Sequence, residues 1–275
     1  MRIVIPRVLI VAGSDSGGGA GIQADIKTVT MLGGHAMTAI TAITAQNTLG
    51  VQAVHSVPAD MVVAQMRSVI ADIGVDAVKI GMIGSAAVAH AVADVLDALA
   101  VPVVFDPVMV ATSGSVLADA ETIAAFARLM RGATIVTPNL PELDVLGGEH
   151  AVRAHGAALL VKGGHADGDV VRDRLVAADG AQTVWTHPRI VTRHSHGTGC
   201  TLASGIATGL AGGMALAAAC DRAIAFVAAA LGKAPGLGGG HGPMGHALGR
   251  TPYYDLSAAT DPDGGDAAAV AAKWS

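Results

Sequence analysis

Short apolar runs alternate with segments of helical periodicity along most of this chain, and this alternation limits the fold more than any other feature. Residues 7–13 form an apolar run that ends in glycine, as expected of a buried strand, and residues 20–32 follow with apolar side chains at helical spacing. We predict further strands at 36–46, 51–57, 77–81, 101–107, 133–137 and 157–162, and further helices at 85–99, 118–130, 199–211 and 214–232, with two more that begin at Pro58 and Pro141. Because strands that alternate with helices build right-handed crossover units around a parallel sheet, we predict an α/β fold.

The alternation stops at two segments. Residues 169–192 contain β-type stretches at 169–180, 181–187 and 189–192, which predict antiparallel strands. Residues 251–275 are rich in Asp, Ala and Gly and have no periodicity, so we expect a mostly disordered tail. No internal repeat or clear linker interrupts the rest, and we therefore expect one domain over residues 1–250.

The charge and the cysteine content exclude several classes of partner and compartment. The 275 residues carry a formal net charge of −5, from 17 Lys and Arg and 22 Asp and Glu. We therefore expect neither a nucleic acid nor an anionic membrane surface as partner. Cys200 and Cys220 form no disulfide framework, which favours a reducing cytoplasm.

One uncharged stretch, from Gly197 to Cys220, is long enough to span a bilayer. It even contains Gly205 and Gly209 at the spacing of membrane helix dimers. However, its residues are mostly small, and Gly212-Gly213 divides it. We therefore predict two small-residue helices that pack closely in the core, and no membrane span.

A glycine-rich loop follows the first predicted strand. Residues 19–24 match the G-x-G-x-x-A form of the dinucleotide fingerprint, but no acid lies between Asp25 and Asp60 to bind a ribose. The motif G-x-x-x-x-G-K-[ST] is absent, which excludes a P-loop enzyme. The glycines would still let the backbone approach a ligand closely, although a plain flexible loop also explains them.

Polar side chains stand at the ends of the predicted strands, where ligands bind in parallel sheets. Asp106 follows the strand at 101–105, and Asn139 and Glu142 are spaced to face one hydrated Mg²⁺, although the same spacing is that of a helix capping box. Lys162 has no acidic neighbour nearby in the sequence, so a phosphate contact explains it better than an ion pair. The 11 histidines show no paired metal spacing, and we assign no zinc.

A second glycine cluster, His196-Gly-Thr-Gly-Cys-Thr201, directly precedes a predicted helix. The amides of Thr198, Gly199 and Cys200 would then point from a helix N-terminus into one anion site. A cysteine there is expected to have a lowered pKa, and its thiolate could accept a proton from a substrate hydroxyl. Cys220 lacks this context and is assigned to packing.

Together these motifs resemble the hydroxymethylpyrimidine/phosphomethylpyrimidine kinases of thiamine biosynthesis, within the ribokinase-like superfamily. The matching stretches are AGSDSGGGAGIQAD (12–25), AITAQNTLGVQ (42–52), VKIGMIGS (78–85), VFDPVMVATSG (104–114), TPNLPE (137–142), VKGGH (161–165), HGTGCTLASGIA (196–207) and HGPMGH (241–246). The resemblance implies a three-layer α/β/α fold with a central, mostly parallel sheet. It also implies ATP-dependent phosphorylation of 4-amino-5-hydroxymethyl-2-methylpyrimidine and then of its monophosphate.

The resemblance assigns roles to residues that match the family motifs. The pyrimidine pocket would comprise Gly13, Asp25, Gln46, Met82 and Val108. The ATP phosphates would meet Lys162, Gly197, Thr198 and Gly199, Mg²⁺ would be positioned by Asp106, Asn139 and Glu142, and Cys200 would be catalytic. We also expect a homodimer.

Three other functions compete with this interpretation. A pyridoxal kinase of the same superfamily is the nearest, although Gln46-Asn47-Thr48 favours the pyrimidine. An inactive ligand-binding protein on this fold should have lost Cys200, Lys162 or Glu142, and all are present. A nicotinamide oxidoreductase lacks its ribose-binding acid. The chain also departs from the family at His194-Ser195, where Asn-Thr is usual, and in its short segment 165–195, where the nucleotide flap is expected.

Overall fold

The protein is described by a computed structural model over residues 5–111, 114–166 and 168–250. The tail expected at residues 251–275 lies outside the described residues. The strands are β1 (Arg7–Asp15), β2 (His35–Asn47), β3 (Gly50–Ser56), β4 (Ala77–Ile80), β5 (Val103–Phe105), β6 (Ile135–Val136), β7 (Ala158–Val161), β8 (Val170–Val176) and β9 (Gln182–Pro188). The helices are α1 (Gly21–Met31), α2 (Ala59–Asp72), α3 (Ala86–Leu96), α4 (Ala120–Gly132), α5 (Leu140–Val145), α6 (Gly148–Arg153), α7 (Thr198–Ala211) and α8 (Leu216–Leu231).

The nine strands form one sheet in the order β3-β2-β1-β4-β5-β6-β7-β8-β9. The six central strands of this order pair in parallel: β2, β1, β4, β5, β6 and β7. The other three, β3, β8 and β9, are antiparallel to their neighbours. The predicted α/β fold with a mostly parallel sheet is thereby confirmed. Since all central strands run the same way, their carboxyl ends share one edge.

Helices cover both faces of the sheet, which gives the predicted three layers. Side chains of β1 alternate between two cores: Leu9 and Val11 pack in the core under α2, α3 and α4, and Val8 and Ile10 in the core under α1, α7 and α8. A strand that is buried on both faces must be apolar throughout, which explains the continuous run at residues 7–13.

The structure differs from the sequence prediction in two segments. Residues 190–192 form no strand, because β9 ends at Pro188 and the Arg189 guanidinium donates to the carbonyl oxygens of Gly164 (2.8 Å) and Gly168 (2.7 Å) instead. Helix α6 was not predicted. It begins directly after Gly147, whose φ of +86° is a left-handed backbone conformation that glycine adopts readily.

Close packing of α7 on α8 explains the uncharged small-residue stretch. A Cβ added at Gly205 would lie 2.9 Å from Ala223 Cβ, and one added at Gly209 would lie 2.7 Å from Ala219 Cβ. The glycines therefore let two helices of the core approach closely. In the described ranges, no helix has both the length and the apolar character that a bilayer crossing requires.

We predict that Gly205→Ala lowers the free energy of unfolding by about 1–3 kcal/mol, because the added methyl group overpacks the α7–α8 contact. Adding Ala223→Gly should restore part of this loss, since it removes the opposing methyl group. Urea denaturation of both single variants and the double variant measures the coupling. Gly132→Ala is the matched control, because a Cβ there meets no atom within 4 Å. Strict additivity of the two substitutions would contradict the packing argument.

Candidate active site

A cleft of about 810 Å³ lies along the shared carboxyl edge of the parallel strands. It receives residues that follow β1, β4, β5, β6 and β7, together with the first turn of α7. Twelve sequence-predicted site residues line it: Gly13, Gln46, Met82, Asp106, Val108, Asn139, Glu142, Lys162, Gly197, Thr198, Gly199 and Cys200. The topology therefore brings together side chains that are far apart in the sequence.

A charged cluster occupies one end of the cleft. Lys162 Nζ donates to Asp106 Oδ1 (2.7 Å) and lies 3.7 Å from Glu142 Oε2. Thr137 Oγ1 donates to the same Asp106 oxygen at 3.1 Å. The sequence shows no acidic residue near Lys162, but tertiary contacts supply two, so an ion pair forms where the sequence favoured a phosphate contact. The phosphate contact itself stays a prediction. Burial by itself lowers the pKa of Lys162, but Asp106 and Glu142 outweigh it, and the raised pKa keeps the ammonium charged.

Asn139 and Glu142 form the capping box of α5. Asn139 Oδ1 accepts from the Glu142 amide, and Glu142 Oε2 accepts from the Asn139 amide, both at 2.8 Å. Of the two explanations left open by the spacing, the structural one therefore holds. Burial, together with nearby Asp106, raises the pKa of Glu142 despite the attraction of Lys162.

The donor set at this end nevertheless fits a hydrated Mg²⁺. Asp106 uses Oδ1 and Glu142 uses Oε2 for the contacts above, so each carboxylate keeps a second oxygen. Mg²⁺ is typically held by one or two carboxylates plus water and substrate phosphates. Within residues 5–111, 114–166 and 168–250, no group of three His, Cys, Asp or Glu side chains forms a complete metal site. The set therefore suits a cation that arrives with phosphates.

The first turn of α7 presents backbone amides to the cleft. Gly197 has a φ of +86° as the N-cap, and a Cβ there would lie 2.0 Å from the carbonyl oxygen of Gly19. The Thr198 amide donates to the Ser195 carbonyl at 3.3 Å, so the predicted set of three free amides reduces to those of Gly199 and Cys200. Amides at the positive end of a helix dipole bind anions.

The cysteine at this turn does not behave as the sequence suggested. Burial raises the pKa of the Cys200 thiol to about 11, and the carboxylates of Asp25 and Asp106 add to this effect. The Lys79 ammonium and the Gly21 amide favour the thiolate, but they do not outweigh desolvation. The predicted lowered pKa was therefore wrong for the ligand-free protein, because loss of water and two carboxylates outweigh the lysine and the amide.

Asp25 is separated from the cleft. It is fully buried, and Oδ1 and Oδ2 accept from Lys79 Nζ at 2.9 and 2.8 Å, while Ser204 Oγ donates to Oδ1 at 2.7 Å. Lys79 lines the cleft, whereas Asp25 lies behind it. Burial by itself lowers the pKa of Lys79, but Asp25 and the other nearby anions raise it overall, so the ammonium stays charged under the site. Sequence reasoning assigned Lys79 no role, although a lysine inside the apolar strand AVKI signals a buried partner.

The other end of the cleft is less charged. Gly13 lies against Met82, where an added Cβ would come 2.9 Å from the thioether sulfur. Val108 adds a second half-buried apolar side chain, and the Gln46 amide is the polar group beside them. A flat ring with one polar edge suits such a lining.

The glycine-rich loop contacts protein more than it contacts the cleft. A Cβ at Gly19 would lie 2.5 Å from His196 Cδ2, and one at Gly21, where φ is +56°, would lie 2.4 Å from the Gly13 carbonyl oxygen. Asp15 holds the loop by accepting from the amides of Gly17, Gly19 and Ala20. The loop therefore packs on the start of α7, which contradicts the explanation of a plain flexible loop, while Ala20 and Gly21 still line the cleft and the approach to a ligand stays a prediction.

Comparison with known proteins gives consistent matches. The profile of the family described as phosphomethylpyrimidine kinase matches residues 15–245. The hydroxymethylpyrimidine/phosphomethylpyrimidine kinase of Streptomyces coelicolor is 47% identical over 256 residues, which cover 88% of this chain and 94% of that protein.

Two solved structures share the fold. A pyridoxal kinase of Bacillus subtilis, solved as an ADP complex, has a TM-score of 0.80 at 31% identity and covers 89% of this chain and 98% of that one. A phosphomethylpyrimidine kinase of Clostridium difficile has a TM-score of 0.69 at 35% identity, with 82% and 98% covered.

We predict that iodoacetamide modifies Cys200 slowly at neutral pH and that the rate keeps rising beyond pH 9. A thiol with a pKa of about 11 is almost wholly protonated at pH 7, and its thiolate fraction grows about tenfold per pH unit below the pKa. Mass spectrometry of the alkylated peptides gives the rate, and Cys220, which is fully buried, is the internal control. A rate that levels off below pH 8 would show a lowered pKa instead.

Proposed function

The chain belongs to the phosphomethylpyrimidine kinase family, and from this membership we propose its reaction and the role of each site residue. ATP phosphorylates the hydroxymethyl group of 4-amino-5-hydroxymethyl-2-methylpyrimidine, and a second ATP converts the monophosphate to the diphosphate, in thiamine biosynthesis. The observation that carries this proposal is the division of one cleft into a charged end at Lys162 and α7 and a less charged end at Gln46 and Met82.

The less charged end would bind the pyrimidine. Met82 and Val108 offer apolar contact to the ring, and Gly13 leaves room for Met82 to reach it. Gln46 can donate and accept hydrogen bonds along the aminopyrimidine edge. Asp25 supports this end indirectly, because it holds Lys79 in place below the cleft.

The charged end would bind the phosphates of ATP. Lys162 supplies a mobile positive charge, and the amides of Gly199 and Cys200 meet the transferring phosphoryl group, with Gly197 and Thr198 shaping their turn. Preorganised donors of this kind are the main catalytic device in phosphoryl transfer. Mg²⁺, held through Asp106 and Glu142 with Asn139 fixing the Glu142 side chain, would neutralise charge on the phosphate oxygens when bound.

Cys200 would accept the proton of the substrate alcohol. Its thiol stands at the first turn of α7, beside the amides that receive the phosphoryl group. Lys79 offers the positive charge that a thiolate needs there. Since the pKa is about 11, the thiolate is the minor form at neutral pH, and the alcohol step should speed up as the pH rises.

We also propose a homodimer in the cytoplasm. Among the described strands, β3 lies at one edge of the sheet, and the β2–β3 hairpin exposes Ile43, Leu49 and Val54. An unpaired edge with exposed apolar side chains favours association with a second copy. The two free cysteines suit a reducing compartment.

We predict that the purified protein with ATP and Mg²⁺ releases ADP on both pyrimidines and much less on pyridoxal. A coupled ADP-release assay measures this. Gly199→Ala should abolish most activity on both pyrimidines without loss of folding, because its methyl group would lie 3.3 Å from Lys162 Nζ and 3.5 Å from Asp106 Oδ2. Gly132→Ala, which meets nothing within 4 Å, is the matched control. ADP release that no pyrimidine stimulates would refute the kinase proposal.

We predict that Cys200→Ala slows phosphorylation of the alcohol by about 10²–10⁴-fold and largely spares phosphorylation of the monophosphate. The monophosphate oxygen is already anionic near pH 7 and needs no base. In the wild type, kcat/KM for the alcohol should rise between pH 7 and 9.5 more steeply than for the monophosphate. Equal losses on both substrates would assign Cys200 to phosphoryl binding or helix packing.

A further inference from the structure

Two buried groups beside the less charged end have no role in the scheme above. His196 Nε2 lies 3.1 Å from Asp15 Oδ2 and 3.1 Å from Gln46 Nε2. On the other side of that amide, Gln46 Oε1 lies 3.1 Å from Thr44 Oγ1. Asp15, His196 and Thr44 are all buried. The Gln46 amide, which would hydrogen-bond to the substrate ring, is therefore contacted at both of its terminal atoms.

The Asp15 carboxylate determines where His196 carries a proton. Oδ1 accepts from the Gly17 amide at 2.8 Å, and Oδ2 accepts from the amides of Gly19 and Ala20 at 3.0 and 2.8 Å. Burial would raise the pKa of Asp15, but the hydrogen bonds from His196, Ala20 and Gly17 outweigh it and hold the pKa below its ordinary value. An ionised carboxylate only accepts, so His196 Nε2 carries the hydrogen between them.

The Thr44 hydroxyl supplies a second constraint. Its single proton goes to the Ser14 carbonyl oxygen, 3.0 Å away, because a carbonyl can only accept. Thr44 Oγ1 can then only accept from the Gln46 amide. A half-turn of the amide exchanges its nitrogen and oxygen, and hydrogen bonding decides between the two orientations. Only the half-turned amide suits both neighbours: its nitrogen donates to Thr44 Oγ1, and its oxygen accepts from the His196 Nε2–H, a hydrogen that it shares with Asp15 Oδ2.

We propose that Asp15 and His196 are positioning residues that fix the Gln46 amide and so set the specificity of the cleft for an aminopyrimidine. In the orientation they impose, one N–H and one oxygen lone pair of Gln46 remain for the ligand. This pattern matches a ring nitrogen next to an exocyclic amine, which accepts and donates on one edge. The inference rests on the proposed function, since it names how that site recognises its ring.

The test compares hydroxymethylpyrimidine with an analogue in which hydrogen replaces the 4-amino group. His196→Phe keeps a ring against Gly19 but removes the donor, and His196→Gln returns a donor. We expect His196→Phe to raise KM for hydroxymethylpyrimidine about tenfold or more. KM for the analogue and kcat should change little, so the discrimination between the two compounds falls. His196→Gln should restore part of it.

Two further measurements guard against a purely structural effect. His246→Phe is the matched control, because His246 is also buried but bonds Thr201, and it should leave the discrimination unchanged. Asp15→Asn should lower the discrimination as His196→Phe does, and in the wild type ¹⁵N NMR should show His196 protonated at Nε2.

The outcomes separate the two proposals. A wild type that phosphorylates hydroxymethylpyrimidine, together with equal losses on both compounds in His196→Phe and Asp15→Asn, would overturn the positioning role alone. An unprotonated Nε2 would overturn it as well. A wild type with no activity on either compound would overturn the proposed function and the positioning role with it.

Discussion

The contact between the glycine-rich loop after β1 and the first turn of α7 is the constraint on which the site depends. Gly19 and Gly197 pack backbone against backbone, and a side chain on either would collide with the other segment or with His196. Asp15 and His196 add a buried hydrogen bond across the same contact. Because the packing of Gly19 on Gly197 fixes where α7 begins, it also places the Gly199 and Cys200 amides and the thiol over the cleft. The loop therefore holds the start of α7 in position. This packing explains the glycines of the loop, which a dinucleotide fingerprint does not explain.

Each lysine that lines the cleft is paired with at least one carboxylate before any ligand enters. Lys162 is neutralised by Asp106 and Glu142, and Lys79 by Asp25. Removing one partner of a buried pair such as Lys79–Asp25 typically costs about 3–5 kcal/mol, because the other charge is left without compensation. The cluster at Lys162 differs from the Lys79 pair in exposure, since the Lys162 side chain is partly exposed and both members of the Lys79–Asp25 pair are fully buried. In the proposed function, the buried pair would support the site and the Lys162 cluster would take part in binding.

The pKa of Cys200 shows how two local effects compete. A helix N-terminus and a nearby lysine favour a thiolate, and the sequence indicates the first of these. Desolvation and two carboxylates oppose it, and they arise from Asp25 and Asp106, which are about 175 and 94 residues away in the chain. Local sequence therefore identified the residue and the turn, but it gave the wrong direction for the acidity of the thiol.

The sequence by itself determined the α/β fold and the edge of the sheet that carries the site, and all but one of its predicted site residues line the cleft. It could do so because hydrophobic periodicity defines strands and helices, and parallel strands bring their carboxyl ends to one edge. It also supplied the family resemblance. Only the tertiary structure decided which groups are paired: that Lys162 meets two acids, that Asp25 lies behind the cleft with Lys79, and that Asp15 and His196 hold Gln46. Ion pairing, burial and hydrogen-bond direction depend on residues brought together by folding, and sequence spacing carries no record of those distances.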